Sequence, residues 1–426
     1  MGEYSMSTQS VSVPDLIRLV GGVTDTFEDV PDVVLVPPQP AITSANPNST
    51  DGMTISGRFM SFSSLYEPSR GGATNPLRGC VRIVDGYTMM QTHWQDRPLV
   101  ERASEEVGMP GDAEQPVGPL TRSATRTFFG APAVDDLDRL DARVGFLGVP
   151  TDQGVIIPFI RSGAFAGPRL VRETRTRLRE TRPDGASAGW FDIETERHYL
   201  EGVRLADCGD VLIAGGDMPL SQARTTAAAR KIAERGAMVV AVGGDHSISF
   251  PVGRGVAEAH GMVDVVHIDA HPDFADSIYG SKLQHGSQLR RLFELPSTKR
   301  FTALGLRSVD RDQYEDMKRL GVGFASTRAI LEEGPRAVVE RLVQPADKLY
   351  VSIDIDVLDS GLVPGTTLPE PGGISYRQLR ELLAAIATKG QIVGFDVVET
   401  SAAQADLATA MTSAWLIIHF LTAILS

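Results

Sequence analysis

Three short motifs carry the residues of this chain whose chemistry is most specific. They contribute two imidazoles and four carboxylates, at His246, Asp269, His271, Asp273, Asp354 and Asp356. Two of the motifs alternate their polar residues with small or apolar ones, and the third follows a pair of glycines that lets other backbone approach closely. Carboxylates and imidazoles together are ligands for divalent transition metals. The motifs therefore predict a site for two metal ions.

Alternation and charge both favour a binuclear site. Residues two apart in an extended chain point to the same side, so Asp269, His271 and Asp273 are expected to converge, as are Asp354 and Asp356. Four buried carboxylates without cations would be unstable, whereas two divalent ions balance their charge. Metal coordination lowers the pKa of water towards about 7, so a metal-bridging hydroxide would be the nucleophile of a hydrolase. The ligand set suits manganese best and also accepts nickel.

Apolar runs before the motifs indicate the elements that position them. From about residue 142 such runs alternate with helical segments, which predicts an α/β fold with a mainly parallel sheet. The ligands then lie at the carboxyl edge of that sheet. The predicted strands are 144–150, 238–242, 263–268, 301–306, 348–353 and 392–397, and the predicted helices include 220–234, 376–387 and a buried last helix at 414–425.

Length and composition predict one large catalytic domain, residues 126–426, preceded by an extension at 1–125. The extension is rich in Ser, Thr, Pro and Gly and shows no sustained period, so no fold is assigned to it. Its aromatic residues favour packing on its own core or on a neighbouring subunit. A homo-oligomer is expected, and a hetero-oligomer is a second possibility.

Charge and cysteine content exclude several classes of protein. The net charge of -13, without a basic tract, argues against a nucleic-acid partner. The amino-terminal residues lack the pattern of a signal peptide, and no stretch reaches the roughly 20 apolar residues of a membrane span. Two cysteines do not form a disulfide framework, so the cytoplasm is the expected location.

The three motifs, 243–247, 269–273 and 352–359, resemble the metal signatures of the ureohydrolases, the arginase and agmatinase family, over about residues 142–426. The resemblance implies the three-layer α/β/α sandwich of arginases and deacetylases. It also implies hydrolysis of a guanidino group to urea and an amine or ammonia. By the same resemblance, His285 in segment 284–287 would assist proton transfer and bind substrate. Glu399 in segment 395–399 would hold the guanidinium, and Asp273 would serve the catalytic centre as well as the metal.

Three departures from the family pattern leave the substrate open between agmatine, a guanidino acid, and guanidine or a biguanide. Ser360 follows Asp359 where a proline is usual, and the loop 364–369 also differs. The segment 154–168 is unusually apolar, which favours a small or alkylated guanidine, although Arg161 within it could pair with a substrate carboxylate. The long extension is the reason to test nickel beside manganese.

Two other functions compete with guanidino hydrolysis. A metal-dependent amine deacetylase of the same fold normally binds one zinc, so the full set of six ligands and Glu399 argue against it. A non-catalytic subunit of a hetero-oligomer would be expected to have lost ligands, and all six are present. Metal content per chain and urea release separate these alternatives.

Overall fold

The computed structural model describes residues 80–84, 87–91, 119–158, 160, 162–178, 180–182, 184–402 and 407–426. The chain divides into two compact units, Met1–Val100 and Glu101–Ser426. In the first unit the described residues form one antiparallel pair, β1 (Cys80–Val84) and β2 (Tyr87–Gln91). Arg161 and most of the predicted extension lie outside the described residues.

A nine-stranded sheet organises the unit Glu101–Ser426. Its strands are β3 (Thr121–Arg122), β4 (Val144–Val149), β7 (Leu205–Val211), β8 (Met238–Gly243), β9 (Val263–Ile268), β10 (Thr298–Leu306), β11 (Gly323–Ser326), β12 (Lys348–Asp354) and β13 (Gln391–Val398), and β5 (Trp190–Asp192) pairs separately with β6 (Arg197–Tyr199). The order is β11-β10-β9-β12-β13-β8-β4-β7-β3, parallel throughout except for the antiparallel edge strand β3. The six predicted strands are all present, within three residues at each end.

Helices cover both faces of the sheet. They are α1 (Gly167–Glu173), α2 (Met218–Glu234), α3 (Ser249–His260), α4 (Gln288–Phe293), α5 (Arg311–Arg319), α6 (Thr327–Glu333), α7 (Pro335–Leu342), α8 (Tyr376–Ala387) and α9 (Leu407–Leu425). Alternate residues of a strand point to opposite faces, and in β8 Val240 and Val242 enter one core while Val239 and Ala241 enter the other. The first core includes α7, α8 and α9, and the second includes α2, α3 and α4. The predicted three-layer α/β/α sandwich is confirmed.

The last helix, α9, is long and apolar enough to cross a membrane by length and composition alone. Half of its most apolar window is buried within the protein. Trp415 packs edge-on against Trp190 with ring centroids 5.4 Å apart, and Phe420 lies 4.8 Å from Phe395 of β13. These contacts make α9 a core helix of this unit, as expected for residues 414–425.

Four strands at the middle of the sheet, β9, β12, β13 and β8, are neighbours in that order and run in the same direction. Their carboxyl ends therefore meet at one edge. The predicted ligand motifs lie at the ends of β8, β9 and β12, and Glu399 follows β13 directly. The fold thus brings the segments of the candidate site together, although they are distant in sequence.

Candidate metal centre

The turn after β8 positions His246. Asp245 begins this turn, because its Oδ1 accepts a hydrogen bond from the backbone N of Ser247 and its Oδ2 accepts one from Gly154 N. At Gly244 a Cβ atom would lie 2.4 Å from the carbonyl oxygen of Thr151, closer than packing permits. The glycine therefore lets the chain bend tightly and hold His246 at the sheet edge.

Turns position most of the aspartates of the other two motifs. β9 ends at Ile268, and Asp273 adopts φ 46, in the left-handed region that Asp visits more readily than most residues. Asp354 is the last residue of β12, and Asp356 lies in the short 3-10 turn Ile355–Val357 that follows. The side chains meet as the alternation predicts, although only Asp354 is part of a strand.

One imidazole nitrogen lies at the centre of three carboxylates. His246 Nδ1 is 3.0 Å from Asp273 Oδ2, 3.1 Å from Asp269 Oδ2 and 3.2 Å from Asp354 Oδ2. His246, Asp269 and Asp354 are almost completely buried. These four residues, the first ligand group, form a compact set of nitrogen and oxygen atoms.

A second ligand group adjoins the first. His271 Nδ1 lies 3.0 Å from Asp356 Oδ2 and 3.4 Å from Asp269 Oδ1. Asp269 therefore contributes one carboxylate oxygen to each group. Ligand atoms of Asp269, His271 and Asp356 lie within 4.8 Å of one another, as a shared metal ion requires. All six residues predicted as ligands are brought together by the fold.

Backbone hydrogen bonds fix the carboxylates in place. Asp269 Oδ1 accepts from His271 N at 2.6 Å, and Asp354 Oδ1 accepts from Asp356 N at 2.9 Å. Asp356 Oδ1 accepts from Ala270 N at 3.1 Å, which joins the motif after β12 to the motif after β9. In each of these aspartates, the backbone bond leaves Oδ2 directed towards a histidine nitrogen.

The first ligand group fits a cation. His246 Nε2 lies 2.9 Å from Ser352 Oγ, whereas His246 Nδ1 and Asp269 Oδ2, both buried, form no hydrogen bond with any described residue. Buried polar atoms without partners are unfavourable. A divalent ion among them would satisfy the nitrogen lone pair and the carboxylate oxygens together. The residues that would hold it are those of the two ligand groups.

The electrostatics of the aspartates also call for positive charge. Burial, together with the neighbouring Asp269 carboxylate, raises the pKa of Asp356 to about 7. Burial and the carboxylates of Asp356 and Asp269 raise the pKa of Asp354 well above its ordinary value. Two crowded carboxylates resist ionising side by side unless cations neutralise them.

His267 lies behind the ligands. It is fully buried, and its Nε2 is 3.0 Å from the carbonyl oxygen of His271 and 3.3 Å from Asp269 Oδ2. A nitrogen that donates to a backbone carbonyl has no lone pair for a metal. His267 therefore supports the segment after β9 from the core.

A cavity of about 250 Å³ opens over the ligand groups. It is lined by Ile157, His271, Pro272, Asp273, Ile278, His285, Gly286, Ser308, Val309, Asp310, Gln313, Asp354, Asp356, Thr367, Leu368 and Glu399. No lysine or arginine is among these lining residues, in the part of the chain that the structure describes. Thr367 and Leu368 come from the loop 364–369, so the departure from the family pattern there does reach the cavity.

Glu399 has one engaged and one free oxygen. Its Oε1 accepts from His246 N at 2.7 Å, and its backbone N donates to the carbonyl oxygen of Gly244 at 3.0 Å. Its Oε2 is buried and forms no hydrogen bond with a described residue. The residue adopts φ 63, an uncommon conformation for Glu that is often associated with function. A cationic group in the cavity would supply the missing partner.

His285 lies beside Glu399. Its Nδ1 is 3.9 Å from Glu399 Oε1, and its backbone N donates to the carbonyl oxygen of Gly154. Burial lowers the pKa of His285, but Glu399 and the more distant Asp273 and Asp245 carboxylates outweigh burial and raise it overall. The imidazole can therefore hold a proton near the cavity.

Sequence reasoning missed several residues around the site. Asp245 and Ser352 hold the His246 segment, and Asp310 and Gln313 line the cavity. Ser352 lies two residues before Asp354, so alternation along β12 was the signal that could have identified it. Asp310 lies with Ser308 and Val309 in the loop between β10 and α5, so its position after the predicted strand 301–306 was a weak signal.

Comparisons with known proteins cover the same part of the chain. The profile described as the Arginase family matches residues 142–423. A mitochondrial arginase of Medicago truncatula is 34% identical over 294 residues, which are 66% of this chain and 81% of the relative. A mitochondrial guanidino acid hydrolase of Homo sapiens is 32% identical over 276 residues, 63% of this chain and 74% of the relative.

Solved structures agree with the sequence comparisons. The crystal structure of a hypothetical agmatinase from Burkholderia thailandensis matches with a TM-score of 0.60 at 26% identity. The match covers 71% of this chain and 91% of that structure. The matched residues 142–423 include both ligand groups of this chain.

Proposed function

Because the chain belongs to the arginase family, whose enzymes hydrolyse carbon–nitrogen bonds in linear amidines, we propose that it releases urea from a small guanidino compound with a cationic or neutral tail, of the agmatine type. The observation that carries the proposal is the unpartnered Oε2 of Glu399, which lies in the same cavity as both ligand groups. A planar cation bound there would face the ligand groups.

The residues of the cavity have distinct roles in this proposal. Glu399 holds the guanidinium through charge-assisted hydrogen bonds and keeps its plane oriented. His285, whose imidazole can carry a proton, donates it to the departing amine or passes it to solvent. Asp273 completes the first ligand group at the cavity floor. When bound, two divalent ions supply a water of lowered pKa as the nucleophile that a resonance-stabilised guanidinium requires.

The walls of the cavity support the choice of tail. Ile157, Ile278, Val309 and Leu368 offer apolar contact to a methylene chain. Asp310 lines the cavity, is exposed and forms no ion pair with any residue in the described ranges, so its carboxylate is available to a substrate ammonium. A substrate carboxylate would meet no lysine or arginine among the described lining residues.

A substrate panel tests the proposal. The metal-free protein would be reconstituted separately with manganese and nickel, and urea release measured from agmatine, arginine, guanidinobutyrate, guanidinopropionate, guanidine and biguanides. We expect the highest kcat/KM with agmatine or a similar cation. Preference for guanidinobutyrate would shift the assignment to guanidino acids and point to Arg161. No urea from any member, with two ions bound, would contradict the proposal in favour of a deacetylase or a non-catalytic subunit.

Asp310→Asn is expected to raise the KM for agmatine about fivefold or less, because an exposed ion pair contributes only about 0–1 kcal/mol. The kcat should stay unchanged, since Asp310 belongs to neither ligand group. Guanidine, which has no tail, should be hydrolysed equally by both proteins. Asp312→Asn, which alters an exposed carboxylate two residues further on α5, is the matched control. An equal loss with both substrates would mean that Asp310 does not recognise the tail.

The remaining assignments rest on ligand type and composition. We propose manganese as the metal, with nickel as the alternative, because the oxygen-rich set with two imidazoles accepts both. We also propose a cytoplasmic location, which agrees with the low cysteine content, and assembly as a homo-oligomer.

A further inference from the structure

A buried chain of hydrogen bonds runs from His246 away from the cavity. His246 Nε2 lies 2.9 Å from Ser352 Oγ, and Ser352 Oγ donates to Asp396 Oδ1 at 2.9 Å. Asp396 Oδ2 accepts from the hydroxyl of Tyr350. Ser352, Asp396 and Tyr350 are fully buried, so water does not compete for these bonds.

The sheet itself builds this chain. Ser352 of β12 and Asp396 of β13 are direct partners in the parallel register, so their side chains lie next to each other on one face. Tyr350 precedes Ser352 by two residues and therefore shares that face. The hydrogen bonds therefore connect residues of two central strands, β12 and β13. They end at His246, which follows the neighbouring strand β8.

The direction of the hydrogen bonds determines the tautomer of His246. A carboxylate only accepts, so the hydroxyl hydrogens of Tyr350 and Ser352 both point to Asp396. Ser352 Oγ also lies 3.1 Å from Ser249 Oγ, whose hydroxyl has a hydrogen of its own. With the Ser352 hydrogen directed to Asp396, Ser352 Oγ accepts from His246 Nε2. With its hydrogen on Nε2, His246 presents the lone pair of Nδ1 to the three carboxylates of the first ligand group.

We propose that Ser352, Asp396 and Tyr350 are positioning residues that tune the affinity of the first ligand group for its metal ion by fixing the tautomer and orientation of His246. This proposal rests on the metal centre of the proposed function. A histidine that binds a metal through one ring nitrogen becomes more basic when its other ring nitrogen is hydrogen-bonded towards a carboxylate. Loss of such a partner weakens metal binding by about 10- to 100-fold. No residue of the second ligand group takes part in this chain of hydrogen bonds. The affinity of the second ligand group for its metal ion should therefore not change.

The test measures Mn²⁺ binding to the full chain by competition with a chromophoric chelator. The wild type is expected to bind two ions, and Ser352→Ala and Asp396→Asn are expected to weaken one of the two by about 10- to 100-fold. Tyr350→Phe should weaken the same site less, because Asp396 keeps its bond from Ser352. His246→Ala identifies which site is lost.

The matched control is Tyr376→Phe, which removes a hydrogen bond between a tyrosine hydroxyl and His419 Nδ1 in the other core. It should bind both ions as the wild type does. Thermal unfolding with excess EDTA separates a metal effect from a general loss of stability. If Tyr376→Phe weakened as many metal sites as Ser352→Ala does, these residues would have a merely structural role. The same conclusion would follow if Ser352→Ala weakened both sites equally.

The possible outcomes separate the two proposals. If the wild type binds two ions and Ser352→Ala and Asp396→Asn bind both with unchanged affinity, only the positioning role is overturned. Fewer than two ions bound by the wild type overturn the binuclear centre, and the positioning role with it. Selective loss at the site that His246→Ala abolishes supports both.

Discussion

Asp269→Ala is expected to abolish urea release and to leave the protein with less than one tightly bound metal ion per chain. Asp269 is the residue that faces both ligand groups, with Oδ2 3.1 Å from His246 Nδ1 and Oδ1 3.4 Å from His271 Nδ1. Residues that only support a ligand affect metal affinity or activity by about 10- to 100-fold. Loss of a ligand shared by two ions should therefore cost more than about 100-fold in kcat/KM. Metal analysis after gel filtration and a urea assay measure the two effects.

The control for Asp269→Ala is Asp276→Asn. Asp276 lies in the same loop, but its side chain is half exposed and pairs with Arg291. Its replacement should leave metal content and turnover near the wild-type values. His271→Ala should retain more metal than Asp269→Ala, because His271 belongs to one group only. Full metal content and normal kinetics in Asp269→Ala would refute the assignment of the centre.

Glu399→Gln is expected to retain both metal ions and lose affinity for the guanidinium. The amide oxygen can still accept from His246 N, so the turn that positions His246 should be preserved. The amide nitrogen would then occupy the position of Oε2 and would face the guanidinium donors with hydrogens of its own. A hydrogen bond to a charged group contributes about 1.5–3 kcal/mol, so a rise in KM of roughly 10- to 100-fold is expected.

Steady-state kinetics and metal analysis of Glu399→Gln distinguish its role from that of a ligand. Glu332→Gln, an exposed carboxylate on α6, is the control for the loss of one negative charge. A lower metal content in Glu399→Gln would mean that the carboxylate supports the metal centre through the His246 turn. Unchanged kinetics with full metal would place the guanidinium elsewhere in the cavity.

Much of the sheet was predictable because buried parallel strands are continuous apolar runs. β8 is such a run, and β9 is apolar except for Asp264 and His267. Their predicted bounds differ from the observed ones by no more than one residue. β7 was missed because Asp207, Gly209 and Asp210 interrupt its apolar pattern. Asp207 is nevertheless buried, since it forms a two-bonded ion pair with Arg172 of α1, a partner that only the tertiary fold supplies.

The convergence of the six candidate ligands was predictable for a related reason. Each candidate ligand motif lies at or just after the end of its strand, so local sequence was enough to group the side chains. The role of Asp396 was not predictable, because it depends on the register between β12 and β13, and a sequence does not state which strands pair. The free Oε2 of Glu399 was also not predictable from the sequence, because only the tertiary structure shows that Oε1 accepts a hydrogen bond from His246 N.

The placement of the ligand segments on β8, β9, β12 and β13 has a consequence for folding. These strands are adjacent in the sheet but distant in the chain, so the centre cannot form before most of residues 238–399 have folded. Contacts of such long sequence separation form slowly, and until they form no segment holds a complete set of ligands. An ion that binds only the native arrangement shifts the equilibrium towards it, by about 4 kcal/mol at 1,000 times its dissociation constant. Metal supply would therefore govern how much of the chain reaches and keeps its native state, in addition to its activity.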